Sequence, residues 1–314
     1  MLPSKTIDVS VVIPSVGRPE LRNAVKSVLG QDYSGEVELL VVFDRDEKTT
    51  TPDVLDAATG ANQILFTGGG KRGGFTRNLG VNSARGKWIA FLDDDDTWFP
   101  GKLRAQLTAA SRFPSDQDLV IGSRAVQSIT GAASTSKVRG IPAALIHPGQ
   151  DIADYLFRRR HAGATRSSFF ASTVMAPRDL CIRVPWDEKL TRHQDWDWLL
   201  KLGREPGTNF LQVEEDLVDI YVGTAGSISA GSDWKTSLMW AESALNSYGA
   251  DTQVDFLAGQ TLRYALQKRD PRGVLAVIRR IFRLRRLPSM SPLALGISGV
   301  LPRKWIQNLM RFIK

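Results

Sequence analysis

The chain has 314 residues, a single cysteine and a formal net charge of +8. This length fits one large domain, or a domain of about 200–250 residues with a smaller appendage. One cysteine excludes an internal disulfide, and three scattered histidines provide no Cys/His cluster with zinc spacing, so we expect a reducing cytoplasm. We expect neither a secretory signal nor a membrane-spanning helix, because no apolar segment has the required position or length.

The positive charge is concentrated in the C-terminal part. Residues 268–314 contain twelve Lys or Arg and one acid, Asp270, a charge of +11, so residues 1–267 carry −3. A basic core made for nucleic acid is therefore disfavoured, and no nucleic-acid partner is expected. A tail that meets an anionic surface is compatible with this distribution.

The first third of the chain predicts alternating strands and helices. Residues 7–13 are rich in β-branched side chains and stop at Pro14, which predicts a buried strand. A helix is predicted over 19–30, because Pro19 suits a first turn and Gly30 a C-cap. Residues 37–43 predict a second strand, so the first two strands should be parallel and joined by a right-handed crossover.

The remaining elements follow from the same patterns. Thr191, with Gln194 three positions later, predicts a capping box. From Trp234 onward the pattern is helical. The other predictions are strands at 62–66, 87–92, 118–126, 168–176 and 216–222, helices at 76–84, 101–113 and 191–203, a glycine-rich loop at 68–74 and an irregular stretch at 128–150.

Four consecutive aspartates, residues 93–96, follow the strand at 87–92. Ligands bind at the carboxyl ends of strands in open α/β sheets, so this acidic turn lies where a site is expected. A divalent cation would offset the mutual repulsion, and carboxylate oxygens suit Mg²⁺ or Mn²⁺. Asp93 and Asp95 can face one ion, because alternate residues of an extended turn point the same way. Alternatively, the acids cap the helix that starts after Pro100.

Four ordered segments now carry a resemblance to a known family. Across about residues 8–230 the chain resembles the inverting family-2 glycosyltransferases of bacterial polysaccharide and glycan biosynthesis. This implies an α/β fold of the GT-A type, with a mixed, mostly parallel sheet flanked by helices, in a catalytic domain at 1–232 followed by a basic helical extension at 233–314. The segments are VSVVIPSVGRPELRNAVKSVLGQ at 9–31, VELLVVFD at 37–44, RNLGVNSARGKWIAFLDDDDTWFPGKL at 77–103 and RHQDWDWLLKL at 192–202.

The resemblance implies a nucleotide site at the ends of the first strands. Pro14, Ser15 and Arg18 would lie along the nucleotide, with the guanidinium on the donor phosphates. Asp44 would accept the imide proton of a uracil or guanine base. Arg77 would lie near the nucleotide. From the residues alone, Asp44 can cap a turn or helix, and Arg77 can equally be a surface residue of the first helical turn.

The resemblance also assigns the acidic turn. Asp95 would be the direct ligand of Mn²⁺ or Mg²⁺, and Asp93 would lie near the ribose or sugar and assist the metal. Asp94 belongs to the donor-binding motif, whereas Asp96 orients the turn or caps the following helix. The metal would offset charge building on the departing nucleoside diphosphate.

Asp195 matches the catalytic base of the family. An inverting transfer needs a group that takes the proton from the acceptor hydroxyl while its oxygen attacks the anomeric carbon. Alternatively, Asp195 and Asp197 complement the helix dipole, a role that we predict for Asp197. Trp196 and Trp198 are expected to pack in the protein interior.

Two loops, and two places where the chain differs from the family pattern, bear on the nucleotide pocket. GGGKRGG at 68–74 can bring backbone amides to the diphosphate or simply connect two elements. YVGTAGSIS at 221–229 resembles a segment that closes over the donor in relatives, but it lacks the histidine that some of them carry. Phe43-Asp44-Arg45-Asp46 replaces two adjacent acids, and Val16-Gly17 replaces an aromatic and a polar residue, so the base identity stays open.

The predicted function is metal-dependent, inverting transfer of a sugar from a nucleotide-sugar donor, with UDP favoured, to a glycan or lipid-linked acceptor. One alternative is a catalytically inactive glycan-binding scaffold, which the joint presence of Asp93, Asp95 and Asp195 disfavours. Another is a nucleotidyltransferase, whose glycine- and lysine-rich loop is absent after the first strand. A dinucleotide-dependent oxidoreductase is excluded, because PSVGRPE lacks the G-x-G-x-x-G pattern.

The C-terminal sequence predicts a basic amphipathic helix. PRGVLAVIRRIFRLRRL at 271–287 interleaves aliphatic and aromatic residues with arginines, and KWIQNLMRFIK at 304–314 has the same character. Such a helix can lie in an anionic membrane interface or dock on the catalytic domain. The predicted location is therefore cytoplasmic, with peripheral attachment at the inner face of the membrane.

Overall fold

The computed structural model describes residues 6–114, 117–130, 135–158, 167–222 and 233–301. The chain forms two compact units. The first combines residues 1–150 with 168–224, and the second combines 151–167 with 225–314. The predicted domains, 1–232 and 233–314, place residues 151–158 with the catalytic domain, whereas the structure groups these residues with the C-terminal helices.

The strands of the first unit form one mixed sheet in the order β3-β2-β1-β4-β8-β6-β9-β5, and β7 pairs with β6. Among the described residues they are β1 (Val9–Ser15), β2 (Val37–Phe43), β3 (Gln63–Phe66), β4 (Trp88–Phe91), β5 (Thr97–Trp98), β6 (Leu119–Thr130), β7 (Thr135–Ile141), β8 (Met175–Pro177) and β9 (Asn209–Val222).

The helices of the described residues divide between the units. Helices α5 and α8–α12 belong to the second unit, and the others flank the sheet. They are α1 (Leu21–Leu29), α2 (Pro52–Asp56), α3 (Arg72–Ser83), α4 (Lys102–Ala110), α5 (Ile152–Phe157), α6 (Arg178–Arg183), α7 (Gln194–Leu202), α8 (Trp234–Ala244), α9 (Ala250–Phe256), α10 (Leu262–Gln267), α11 (Pro271–Leu284) and α12 (Met290–Ile297).

The central strands are buried on both faces. β1 pairs in parallel with β2 and with β4, and β2 pairs in parallel with β3, as predicted for the first two strands. Helix α3 lies close on this sheet because Gly80 has no side chain: an added Cβ would come within 2.4 Å of Val12. The close approach fixes the helix whose first turns carry Arg77.

Several sequence predictions differ from the structure, among them the start of β9 at Asn209, seven residues before the predicted residue 216. The predicted strand at 168–176 is mostly irregular, with a 3-10 turn at Ala171–Thr173 and only the short β8 behind it. The stretch 128–150, predicted as irregular, contains β7, which pairs with β6. The residues of β7 are largely exposed, so its sequence lacks the alternation of apolar and polar residues that predicts a strand. Helix α3 starts at Arg72, four residues earlier than predicted, and includes two glycines of the loop.

The second unit is built around aromatic packing. Phe157 at the end of α5 meets Trp240 and Phe256 with ring centroids 6.2 and 5.1 Å away. Asp233 and Asp270 cap the N-termini of α8 and α11 through backbone N–H groups. Within the described residues, no helix combines the length and the apolar character needed to cross a bilayer. The segment KWIQNLMRFIK at 304–314 lies outside the described residues.

Candidate active site

The predicted site residues gather at one edge of the sheet. β2, β1 and β4 are neighbours and parallel, so their carboxyl ends lie side by side. Asp44 follows β2, Pro14 and Ser15 end β1, and the acidic turn follows β4. The Asp44 backbone N–H donates to the Ser15 carbonyl oxygen at 2.8 Å. The strand order therefore brings together residues far apart in sequence.

The loop after β1 contacts the acidic turn directly. Ser15 Oγ donates to Asp94 Oδ2 at 2.6 Å and accepts the Gly17 N–H at 2.8 Å. Arg18 Nη1 lies 2.9 Å from Asp95 Oδ2 and 3.6 Å from Asp94 Oδ1. Burial raises the pKa of Asp94 to about 6, although Ser15 and Arg18 act in the opposite direction. The two predicted donor segments thus form one structure.

Arg77 connects the acidic turn to Asp195. Its guanidinium is largely buried, donates to Asp93 Oδ1 at 2.6 Å and lies 4.6 Å from the ring centroid of Trp186. Burial raises the pKa of Asp195 to about 6; Arg77 opposes that increase and Asp93 adds to it. The surface alternative for Arg77 is therefore wrong. Its contact with a nucleotide stays a prediction, because the described contacts are with protein groups.

Asp195 lies in the first turn of α7. The capping-box prediction is wrong: the helix begins at Gln194, its N-cap His193 has φ 61° and makes no side-chain cap, and Gln194 Nε2 instead donates to the Leu190 carbonyl at 2.5 Å. Asp197 lies 2.8 Å from Lys201 Nζ one turn on. The left-handed residue at 193 sets the direction in which the helix enters the site.

Packing behind Asp195 is aromatic. Trp198 is fully buried and stacks on Trp186 with centroids 4.3 Å apart, and Phe91 meets both rings edge-on. This confirms the predicted packing role of Trp198. Trp196 stacks instead on His193 at 4.8 Å and is partly exposed. The stacked rings of Trp186 and Trp198 form a rigid base under Arg77. This base favours a fixed position for the Arg77 guanidinium and for the carboxylates beside it.

Asp44 holds the glycine-rich loop in place. Its carboxylate accepts bonds from Thr67 Oγ1 at 2.6 Å and from the backbone N–H groups of Lys71 and Arg72, each at 2.8 Å. Burial alone would raise the pKa of Asp44, but these hydrogen bonds lower it below its ordinary value. These contacts agree with the alternative in which Asp44 caps a turn. Recognition of a nucleotide base by Asp44 stays a prediction.

Ser172 was missed by the sequence analysis. It is fully buried in the 3-10 turn before β8, where its Oγ accepts the Asp93 N–H at 3.1 Å and donates to Asp96 Oδ2. Asp96 also accepts the Tyr221 N–H at 3.1 Å. Asp96 thus orients the turn and does not cap α4, whose N-cap is Gly101. No local motif marks Ser172, because only the pairing of β4 with β8 brings it to the turn.

Ser172→Ala should lower the free energy of unfolding by about 2–4 kcal/mol, because a buried N–H and a buried carboxyl each lose a partner. Urea denaturation measures this change. Ser111→Ala is the matched control, since its exposed hydroxyl bonds only within its own helix end, and it should change stability by less than about 0.5 kcal/mol. Equal midpoints for the two variants would contradict the assigned role of Ser172.

The donor set at this edge fits a divalent cation. Among the described residues no three His, Cys, Asp or Glu side chains form a metal cage by themselves. Mg²⁺ and similar ions that also bind substrate phosphates use only one or two carboxylates, and Asp93 and Asp95 supply such oxygens. Asp93, Asp94, Asp95 and Asp195 are four acids that face Arg18 and Arg77, so a cation would reduce an excess of negative charge.

The fold matches that of a solved structure. The chain is similar to residues 1–349 of S. aureus TarS in a complex with UDP-GlcNAc, with a TM-score of 0.63 at 14% identity, over 96% of this chain and 92% of that one. A mixed sheet flanked by helices, with an acidic turn after the strand beside β1, defines the GT-A fold. The predicted fold class is thereby confirmed.

The model of glycosyl transferase family 2 matches residues 10–166, half of the chain. The chain belongs to this family and is a glycosyltransferase. It is 26% identical over 245 residues to the amylovoran biosynthesis glycosyltransferase AmsB of Erwinia amylovora, covering 76% of this chain and 78% of that protein.

A second relative matches over a shorter segment. The chain is 35% identical over 101 residues to the Escherichia coli UDP-Glc:alpha-D-GlcNAc-diphosphoundecaprenol beta-1,3-glucosyltransferase WfgD. This match covers 32% of the present chain and 40% of WfgD.

Proposed function

We propose that this glycosyltransferase transfers a sugar from a UDP-sugar to a glycan or lipid-linked acceptor with inversion at the anomeric carbon. One observation carries the proposal: Asp195, Arg77 and Asp93 form a single charged cluster at the acidic turn. Two relatives support the donor class, since WfgD is named as using UDP-Glc and TarS was solved with UDP-GlcNAc.

Asp195 acts as the general base in this proposal. The acceptor hydroxyl oxygen forms a bond to the anomeric carbon while the bond from that carbon to the diphosphate oxygen breaks. The departing UDP keeps the electron pair, and Asp195 takes the hydroxyl proton. The transition state has oxocarbenium character, as in glycoside hydrolysis. Arg77 holds Asp93 and limits the rise in the pKa of Asp195, so the base is deprotonated at neutral pH.

The remaining site residues hold the donor. Asp93 and Asp95 would bind Mn²⁺ or Mg²⁺, which when present supplies positive charge against the developing charge of the leaving diphosphate. Pro14, Ser15 and Arg18 lie along the nucleotide, and Arg18 exchanges a carboxylate for a phosphate oxygen when the donor binds. The glycine-rich loop held by Asp44 closes the base side of the site.

The acceptor and its location form the last part of the proposal. AmsB is named for amylovoran biosynthesis and WfgD for a diphosphoundecaprenol-linked substrate. A glycan carried on an undecaprenyl-type lipid fits a protein whose C-terminal part is strongly basic, because such an acceptor would lie at an anionic membrane surface. We therefore place the enzyme at the inner face of the membrane.

A thermal-shift screen tests the donor proposal. UDP-, GDP-, dTDP- and CDP-sugars are each added with and without Mn²⁺, because a ligand that binds only the folded state raises the unfolding midpoint by mass action. We expect a midpoint increase with UDP-sugars that depends on Mn²⁺. A shift with another nucleotide would replace UDP in the proposal, and no shift with any donor would overturn it.

A further inference from the structure

Helix α11 presents an apolar stripe to solvent. Leu275, Ile278 and Phe282 recur at spacings of three and four, so they lie on one face of the helix. Their exposed fractions are 46%, 42% and 77%. Single exposed apolar residues are common on protein surfaces and need no explanation. Three that lie together on one helix face form a contiguous apolar patch, and such patches mark interaction surfaces.

The stripe is distinct from the face by which α11 packs in its own unit. Within α11 only Gly273 and Val277 are buried. An added Cβ at Gly273 would come within 2.7 Å of Trp234 and 2.9 Å of Ala265, so this side is the tight contact. Helix α11 therefore packs on its neighbours through the side that carries Gly273 and Val277, and the stripe takes no part in that packing.

An apolar groove adjoins the stripe. A cavity of about 390 Å³ lies along α10 and α11, and its lining includes Leu266, Val274, Leu275 and Ile278. Two stripe residues thus also line the groove. The combined surface can accept flexible apolar chains such as lipid tails, whose shape adapts to an open, shallow groove.

The charged residues of α11 itself have a single sign. Residues 271–301 contain six arginines and no acidic residue. Arg280 lies 3.5 Å from Glu242 on α8. Within the described part of the chain, Arg279 and Arg283 have no ion pair, and they follow Ile278 and Phe282 directly, so they line one edge of the stripe. Their charge is available to an external anion.

We infer that α11 lies in the plane of an anionic membrane surface, with Leu275, Ile278 and Phe282 inserted among the lipids and Arg279 and Arg283 on headgroup phosphates. A helix with an apolar stripe bordered by arginines is suited to that interface. A second copy of the chain is disfavoured as occupant, since a symmetric contact would place arginines against arginines. The inference deepens the membrane location in the proposed function.

Vesicle flotation of the full chain tests this inference. We expect binding to vesicles containing about one third phosphatidylglycerol, weaker binding to pure phosphatidylcholine and a decrease with added salt. The double variant Arg279→Gln/Arg283→Gln should lower the partition coefficient about 30-fold, from about a fivefold effect per arginine. Ile278→Ser/Phe282→Ser should lower it by at least about tenfold.

Matched controls lie in the first unit. Ile182 is 42% exposed, as Ile278 is, and Ile182→Ser should change partitioning less than about twofold. Lys48→Gln/Arg112→Gln removes two exposed charges elsewhere and should weaken binding less than the α11 double variant. The unfolding midpoints of all variants should match the wild type, because every substituted side chain is exposed.

Several outcomes would overturn the inference. These are absence of wild-type flotation, equal binding to anionic and neutral vesicles, or unchanged binding of both α11 variants. A change in oligomeric state of Ile278→Ser/Phe282→Ser without a change in flotation would assign the surface to a second copy. The donor-dependent thermal shift should persist in these variants, so failure of membrane binding would leave the proposed sugar transfer standing.

Discussion

Asp195→Asn should lower kcat by about 10²–10⁴-fold, the contribution typical of a positioned general base, and leave donor affinity within about threefold. The amide cannot accept the acceptor proton, yet it keeps nearly the same shape above the Trp186–Trp198 stack. Steady-state kinetics with a UDP-sugar, combined with calorimetric donor binding, measures the two quantities separately. Loss of donor binding in parallel with kcat would instead assign Asp195 to the donor site.

The pH profile refines this prediction. Because burial raises the pKa of Asp195 to about 6, the base is protonated below that pH and kcat/KM should fall about tenfold per pH unit there. The pKa of Asp94 is also raised to about 6, so the residual activity of Asp195→Asn decides between them. A flat residual profile supports Asp195, whereas a retained acidic limb would point to Asp94.

Asp197→Asn is the control for Asp195. The two acids lie in the same helical turn, but Asp197 Oδ2 pairs with Lys201 Nζ at 2.8 Å, whereas Asp195 faces Arg77 and Asp93. It should keep kcat within about threefold and cost about 1–3 kcal/mol of stability, because the Asp197 carboxylate is buried beside Lys201. Equal losses in both variants would indicate a general disturbance of α7.

Asp95→Ala should remove metal-dependent donor binding, with a loss of donor affinity of about 100-fold or more in the presence of Mn²⁺. Even groups one shell away from a metal commonly contribute 10–100-fold to its affinity, and a direct ligand contributes at least as much. Without Mn²⁺ the variant and the wild type should bind the donor equally weakly. Isothermal titration of a UDP-sugar with and without Mn²⁺ separates the two conditions.

Asp32→Ala provides the comparison for Asp95. Asp32 is an exposed acid in a surface ion pair with Arg104, remote in role from the acidic turn. It should leave both donor titrations unchanged. If Asp95→Ala weakened donor binding equally with and without Mn²⁺, the effect would come from Arg18 losing its partner, and metal ligation by Asp95 would be contradicted.

The parallel half of the sheet was predictable from sequence. The run at 37–43 became β2 without a change of bounds, and Gly30 ends α1 as predicted. Both signals are local: a continuous apolar run specifies a strand buried on both faces, and a glycine marks a helix end. The acidic turn could be placed at the sheet edge for the same reason, since it directly follows the apolar run that became β4.

The connections made by distant residues were not predictable. Ser172 reaches the acidic turn only because β8 pairs antiparallel with β4, and a strand of three residues leaves no periodic pattern. Arg77 gave no sign that its guanidinium is buried, because the charge is offset by Asp93 and by the ring of Trp186 from other parts of the chain. The sequence around a buried charge does not show which distant residues will offset that charge.

The path of the chain between its two units has a consequence for synthesis. Helix α5 belongs to the second unit but is made before β8, α7 and β9 of the first unit. Its end residue Phe157 must therefore await Trp240 and Phe256, which leave the ribosome about 80–100 residues later, so the C-terminal unit can assemble only near the end of translation. A single proteolytic cut near residue 232 would likewise leave α5 on a different fragment from Trp240 and Phe256, which pack on it.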